Sequence, residues 1–410
     1  MTERGDRRRR IVGAALSGAR SGALSGARRR LGALVLPALA LVSALAVGGL
    51  VIVVSDPDAL DAWGSFFTDP GRALGESASV VAGAYRALFE SSLGSTRAIA
   101  RTLREATPLL FAGLSVALAF RAGLFNIGAA GQLMVGAASA AYVGFTYELG
   151  AFVHLPLALA AGFAGGALWG GIAGLLKART GAHEVITTIM GNFIALRLLD
   201  FALTTEAFQR PGRSDPITEP VAESARLQEV SRSFPVTWGL FLALASAALL
   251  WWLLERSTIG FRIRAVGANP AAARYAGMGV GATYLLSMGL AGGLAGLAGT
   301  VNVLGVPSFS LTPGYYQFIG FDAIALALLG RARPAGVVAA AVLFGVLRAG
   351  ATGMQAATDT PVDIIVVIQA LVIVFVAAPA LVRAIWRVRT VRGAPGTAEG
   401  QAFTTNWGAS

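Results

Sequence analysis

Residues 255–281, ERSTIGFRIRAVGANPAAARYAGMGVG, form a polar island between two long apolar runs and carry Arg256, Arg262, Arg264 and Arg274. Asn269 followed by Pro270 predicts a helix start. Asn can accept from free N–H groups, and Pro suits the first turn, where its missing N–H costs nothing. Ala271, Ala272, Ala273, Arg274 and Tyr275 continue the helix, and Gly277 and Gly279 stop it. Two readings follow. The segment is a short helix on the inner membrane surface through which a soluble partner pushes on the spans, or it is a basic loop that only fixes orientation.

Working outward, the chain has 410 residues, 55% hydrophobic and 13% charged. A soluble domain carries roughly 25% charge, and several apolar runs reach the ~18 residues that mark a spanning helix. The runs are continuous and do not alternate, so the expected fold is all-α, a polytopic membrane helical bundle, and not a barrel. The net charge of +11 follows membrane orientation; no nucleic-acid partner is expected. With no Cys and only His154 and His183, neither a thiolate site nor a metal cluster is expected. No cofactor is expected either.

Residues 1–30 read as a basic cytoplasmic tail and 31–55 as the first transmembrane helix. Residues 56–96 read as an extracytoplasmic segment whose AYRALFESSLG portion is an amphipathic helix. Residues 97–382 read as the core transmembrane domain and 383–410 as a cytoplasmic tail. Nine further spans at about 98–120, 122–147, 152–176, 183–204, 236–254, 282–304, 316–330, 334–352 and 362–382 make about ten transmembrane helices. An N-in, C-in topology puts 22 of the 33 Arg and Lys residues inside. The short connections at 121, 177–179 and 331–333 all obey the positive-inside rule. Pro108 within 98–120, and the short 316–330 run with Asp322, suggest discontinuous helices that line a transport route.

Several polar groups fall at membrane depth. In GLFNIGAAGQLMVGA (123–137), Asn126 and Gln132 need partners. They belong to a broken helix beside a translocation route, or to interhelical packing with satisfied amides. In GAHEVITTIMGNFIA (181–195), Glu184, Thr187, Thr188 and Asn192 lie near one helix face. They form an inner gate, or Glu184 favours the helix N-terminus while the threonines bond their own carbonyls. Arg197 and Asp200 read as a structural pair, Asp322 as a pore-facing acid and Arg348 as a costly intramembrane ion. Gln317, Gln355 and Gln369 are weaker route candidates, better read as interhelical bonds. His154 reads as an interfacial residue at an outer loop. There is no G-x-x-x-x-G-K-[ST] loop and no catalytic constellation, so the chain is not expected to be an enzyme.

FRAGLFNIGAAGQLMVGA, GAHEVITTIMGNFIA, IGFRIRAVGANPAAARYAGM, GFDAIALALLGRARPAGVVAAAVLFGVLRAGATGMQ and PVDIIVVIQALVIVFV resemble permease subunits of bacterial ABC importers. The resemblance is to the simple-sugar and branched-chain-amino-acid type, and within it to nucleoside permeases working with BMP-family lipoproteins. It covers about residues 97–382 and departs from the family pattern at Ala130, where Glu is expected, and at Gly191, where Leu is common. It implies an ABC importer permease fold in the cell membrane, contacting the lipid bilayer. It also implies three partners: a cytoplasmic ABC ATPase, a second homologous permease in a heterodimer, and a BMP-type substrate-binding lipoprotein. The small-molecule substrate would be a nucleoside. By the same resemblance the coupling loop 255–281 seats its helix in the ATPase cleft, with Arg264, Asn269, Pro270, Arg274 and Tyr275 as coupling residues. Asn126, Gln132, Glu184, Asn192, Asp322 and Gln355 are the candidates for the translocation pathway. A simple-sugar importer permease and an ion-coupled secondary carrier are the alternatives.

Overall fold

A computed structural model describes residues 35–387, apart from 37, 232, 314–316, 359–360 and 362. The tail 1–30 and residues 388–410 lie outside the described residues. The described chain forms two compact units, residues 35–51 with 366–387, and residues 52–365. In the first, the Trp386 indole N–H donates to the Ser43 hydroxyl at 2.9 Å.

Among the described residues, all regular elements are helical apart from two isolated bridges. They are α1 (Ala38–Ser55), α2 (Pro57–Gly64), α3 (Pro70–Leu93), α4 (Thr96–Arg121), α5 (Ala129–Thr146), α6 (Ala151–Thr180), α7 (Glu184–Ala202) and α8 (Gly239–Arg256). After them come α9 (Thr258–Ala268), α10 (Pro270–Tyr275), α11 (Val280–Gly305), α12 (Gln317–Leu329), α13 (Pro334–Thr358), α14 (Asp363–Ala377) and α15 (Pro379–Trp386). Among the described residues seven helices are long and apolar enough to cross a membrane: α1, α4, α6, α7, α8, α11 and α13. An eighth is reached if α14 and α15, bent by 94°, count as one span.

The expected ten spans are therefore not all present as full-length helices. Residues 122–128 leave the helical path, so α5 begins at Ala129, and Gln132 with three glycines dilutes its apolar character. α12 has only 13 residues. The expected break at Pro108 is corrected: α4 runs unbroken for 26 residues through it, with 83% of its apolar window buried. Packing by α8, α11, α12 and α13 keeps α4 helical where proline removes one backbone bond.

In lipid no hydrophobic force drives helices together, so close backbone approach and interhelical bonding must do it. α6 and α11 meet in this way. Gly162, Gly166 and Gly170 recur every fourth residue on α6 and face α11: a Cβ on Gly166, Gly170, Gly292 or Gly296 would strike the opposite backbone, and one on Gly162 the Thr300 side chain.

On the side where α5 ends, residues 203–238 strap several helix termini together. Val221 N donates to the Phe309 carbonyl at 2.8 Å, Ala222 N to Gly144 at 2.9 Å, and Leu227 N to Leu304 at 2.8 Å. His154, fully buried near the start of α6, contacts the Ser224 hydroxyl at 2.7 Å and the Val143 carbonyl at 3.0 Å. Within the strap, Arg213 grips both Asp215 oxygens at 2.6 and 2.9 Å and holds that carboxyl below its ordinary range.

Candidate functional site

The island of residues 255–281 folds as two helices at a corner. α8 ends at Arg256, and the Ser257 hydroxyl accepts from Gly260 N at 3.0 Å to start α9, a helix the sequence reading did not resolve. Glu255 pairs with Arg264 across the corner at 3.3 Å. Asn269 then caps α10 as expected, its Oδ1 accepting from Ala272 N at 2.9 Å, with Pro270 at the first position. α10 closes on Gly277, whose φ is +79°. Met278 N donates to the Ala273 carbonyl and Gly277 N to that of Arg274, each at 3.0 Å. That pair of bonds is a Schellman closure. A six-residue helix is far below the length that is stable alone in water. Its caps and its anchorage, Ala273 packed with Val266 and Val280, supply the difference. Arg274 and Tyr275 face outward, Tyr275 with 98% of its surface exposed.

α4 also ends in a Schellman closure. Leu124 N donates to Ala119 O at 3.0 Å and Gly123 N to Phe120 O at 3.1 Å, with Gly123 at φ +70°. The chain then crosses 124–128 without helical bonds, leaving polar backbone that must be satisfied internally. Three amides do this. Asn126 and Gln132 exchange reciprocal bonds at 2.9 and 3.0 Å, and Asn126 Oδ1 also accepts from Gly128 N at 3.0 Å. From α7, Asn192 donates to the Ile127 carbonyl at 2.9 Å and accepts from Gly131 N at 2.8 Å. Asn126 and Gln132 are buried. The amides of the glycine-rich motif, with Asn192 of α7, thus clamp a helix break and satisfy one another.

At the start of α7, Glu184 pairs with Lys177 of α6 at 2.9 Å, bridging the α6–α7 turn. The Thr187 and Thr188 hydroxyls donate back to the His183 and Glu184 carbonyls. Asp322 of α12 pairs with Arg348 of α13, both largely enclosed. Arg197 and Asp200 pair at 3.3 Å on the exposed face of α7. Gln355 is exposed near the end of α13 and Gln369 is buried in α14, while the side chain of Gln317 lies outside the described residues. The predicted site residues therefore fall in separate clusters: the α9–α10 arm, the amide clamp at Asn126, Gln132 and Asn192, and two ion pairs. A cavity of about 540 Å³ between α5, α6 and α7, lined by Met134, Tyr142, Trp169, Leu198 and Phe208 among others, was not anticipated. Among the described residues no group of three His, Cys, Asp or Glu could hold a metal.

The family described as branched-chain amino acid transport system / permease component matches residues 98–377, and the chain belongs to it. It is an ABC-importer permease with several membrane spans. The guanosine ABC transporter permease protein NupP of Bacillus subtilis is 38% identical over 356 residues, 87% of this chain and 96% of that protein. The nucleoside ABC transporter permease protein NupB of Lactococcus lactis is 37% identical over 306 residues, 72% of this chain and 82% of that one. The glucose ABC transporter permease protein TsgB13 of Haloferax volcanii is 35% identical over 353 residues, covering 83% and 86%. No solved structure matches the chain.

Proposed function

We propose that this chain is a plasma-membrane permease subunit, N-in and C-in, that imports nucleosides. It works with a second homologous permease, a cytoplasmic ABC ATPase and a BMP-type lipoprotein outside. The observation that carries the ATPase partnership is the α9–α10 arm, a doubly capped helix whose outward face is Arg274 and Tyr275. A helix that buries one alanine and is nevertheless fixed at both ends is shaped to be pressed on from outside the membrane. The arrangement offers recognition and leverage, and with no G-x-x-x-x-G-K-[ST] loop in the sequence we assign ATP hydrolysis to the partner.

Support for nucleosides comes from NupP, similar over nearly its full length, and from NupB. The glucose permease TsgB13 favours the second reading, a simple-sugar importer permease. The amide clamp and the Lys177–Glu184 and Asp322–Arg348 pairs are proposed to border the route and to shift between its inward- and outward-open forms, with Gln355 at the outer end.

Uptake of labelled guanosine into cells expressing the whole importer tests this. Saturable uptake that unlabelled adenosine or uridine suppresses and glucose does not supports the nucleoside reading. Glucose uptake without guanosine uptake favours the sugar reading. Gradient-driven uptake by the permease without any ATPase contradicts both.

A further inference from the structure

The turn Arg121–Gly123 joins α4 to the segment that enters α5, and the positive-inside rule treats it only as a charge. Gly267 of α9 lies directly on it. A Cβ at 267 would collide with the Arg121 carbonyl oxygen and come within 2.9 Å of Gly123 N. From the opposite side, a Cβ on Gly123 would come within 3.0 Å of Gly267 Cα and its carbonyl oxygen. Backbone therefore rests on backbone, with no side chain between to yield. A packed contact of this kind transmits displacement, because protein interiors are stiff at this density.

Two routes lead on from the turn. Along the chain, 124–128 runs into the amide clamp and the first turn of α5, where Ala130 sits against Gly320 of α12. Through its side chain, Arg121 Nε donates to the Ala332 carbonyl at 2.9 Å. Ala332 and Arg331 join α12 to α13 and both hold left-handed backbone, at φ +49° and +53°. Such conformations cost non-glycine residues energy and persist where the surroundings impose them. Arg121 supplies part of that imposition. Both routes converge on α12, which carries Asp322.

We propose that Gly267, Gly123 and Arg121 are positioning residues forming the node through which movement of the α9–α10 arm enters α5, α12 and α13. The proposal rests on the reading of the arm as the ATPase-gripped element, and it adds where the motion goes next.

The test uses the assembled importer in proteoliposomes, with guanosine or glucose as probe, whichever the wild type accumulates. Gly267→Ala forces the turn away, and Arg121→Met removes the bond to Ala332 without crowding. Both are expected to retain ATPase association and ATP hydrolysis while solute accumulated per ATP falls about 2- to 30-fold, the range typical of coupling residues. Arg121→Lys, which keeps a donor, is expected to recover part of the loss. Gly279→Ala, with room for the methyl at 3.7 Å from its nearest neighbour, is expected to change nothing. Unchanged accumulation per ATP in Gly267→Ala and Arg121→Met overturns the proposal. So does loss of ATPase association in Gly267→Ala, since the glycine would then shape the docking face instead. If Gly267→Ala does not accumulate in the membrane, Arg121→Met decides by the same readout. A wild-type chain that binds no ATPase, or accumulates neither probe, removes the reading underneath and the proposal with it.

Discussion

Asp322 and Arg348 show how a residue's meaning changes once its partner is known. In sequence they are 26 positions apart, each a costly ion at membrane depth, and nothing in spacing joins them. In the fold they neutralise one another between α12 and α13. Removing one leaves the other charged and enclosed, so Asp322→Asn is expected to lower stability by about 1–3 kcal/mol. Asp322→Leu combined with Arg348→Met should recover most of that loss. Thermal unfolding in detergent checks both; an unchanged midpoint for Asp322→Asn would contradict a stabilising role for the pair. Asn269 is the opposite case. Its role was legible, because a cap is a local device and Asn–Pro ahead of an alanine run specifies it within four residues. Asn269→Ala should cost about 1 kcal/mol of α10 stability and weaken ATPase association several-fold, whereas Asn269→Asp should not. Equal association for both variants would remove the cap from the account.

Among the elements, long apolar helices were readable and interruptions only in part. Length and hydropathy place α6, α7, α8, α11 and α13, since lipid demands continuous backbone bonding over a fixed thickness. Pro108 misled because proline breaks a helix only where neighbours do not hold it, and α4 is enclosed on nearly all sides. The interruption at 122–128 falls at the glycine-rich motif, where a broken helix was one of two readings. Its signs were Gly123, which ends α4 with positive φ, and Asn126, whose amide replaces the missing helical bonds. The fourfold glycine spacing at 162, 166 and 170 was also present in the sequence and would have given the α6–α11 contact. Gly296→Val is expected to abolish accumulation of folded protein, while Gly171→Ala, 3.8 Å from its nearest neighbour, should be tolerated. Size-exclusion profiles of the two variants separate these outcomes. Ala272→Pro acts on a single bond: it deletes the N–H that Asn269 accepts from, so the chain should insert normally yet lose ATPase association. Normal ATP-driven uptake by that variant would contradict a role for α10.

For the whole molecule, the sequence conveyed the class and the capped helix α10, but not how the turns between helices meet. That depends on contacts between residues far apart in the chain: Gly267 with Arg121, Arg121 with Ala332, and Asn192 with Ile127. Periodicity and propensity are blind to such pairs. Arg274 and Tyr275 are the large exposed side chains of α10, so charge reversal at Arg274 should act on a partner and leave the fold alone. Arg274→Glu is expected to leave the permease inserted with an unchanged unfolding midpoint and to abolish co-purification of the ATPase. The most direct measurement uses the absence of native cysteine in this chain. A single Tyr275→Cys, treated with a short thiol-to-amine crosslinker in inverted membrane vesicles, should form a covalent adduct with the ATPase that diminishes when nucleotide is trapped. Labelling of that cysteine from the outer face of intact cells, with no ATPase adduct in the vesicles, would contradict the account at its root.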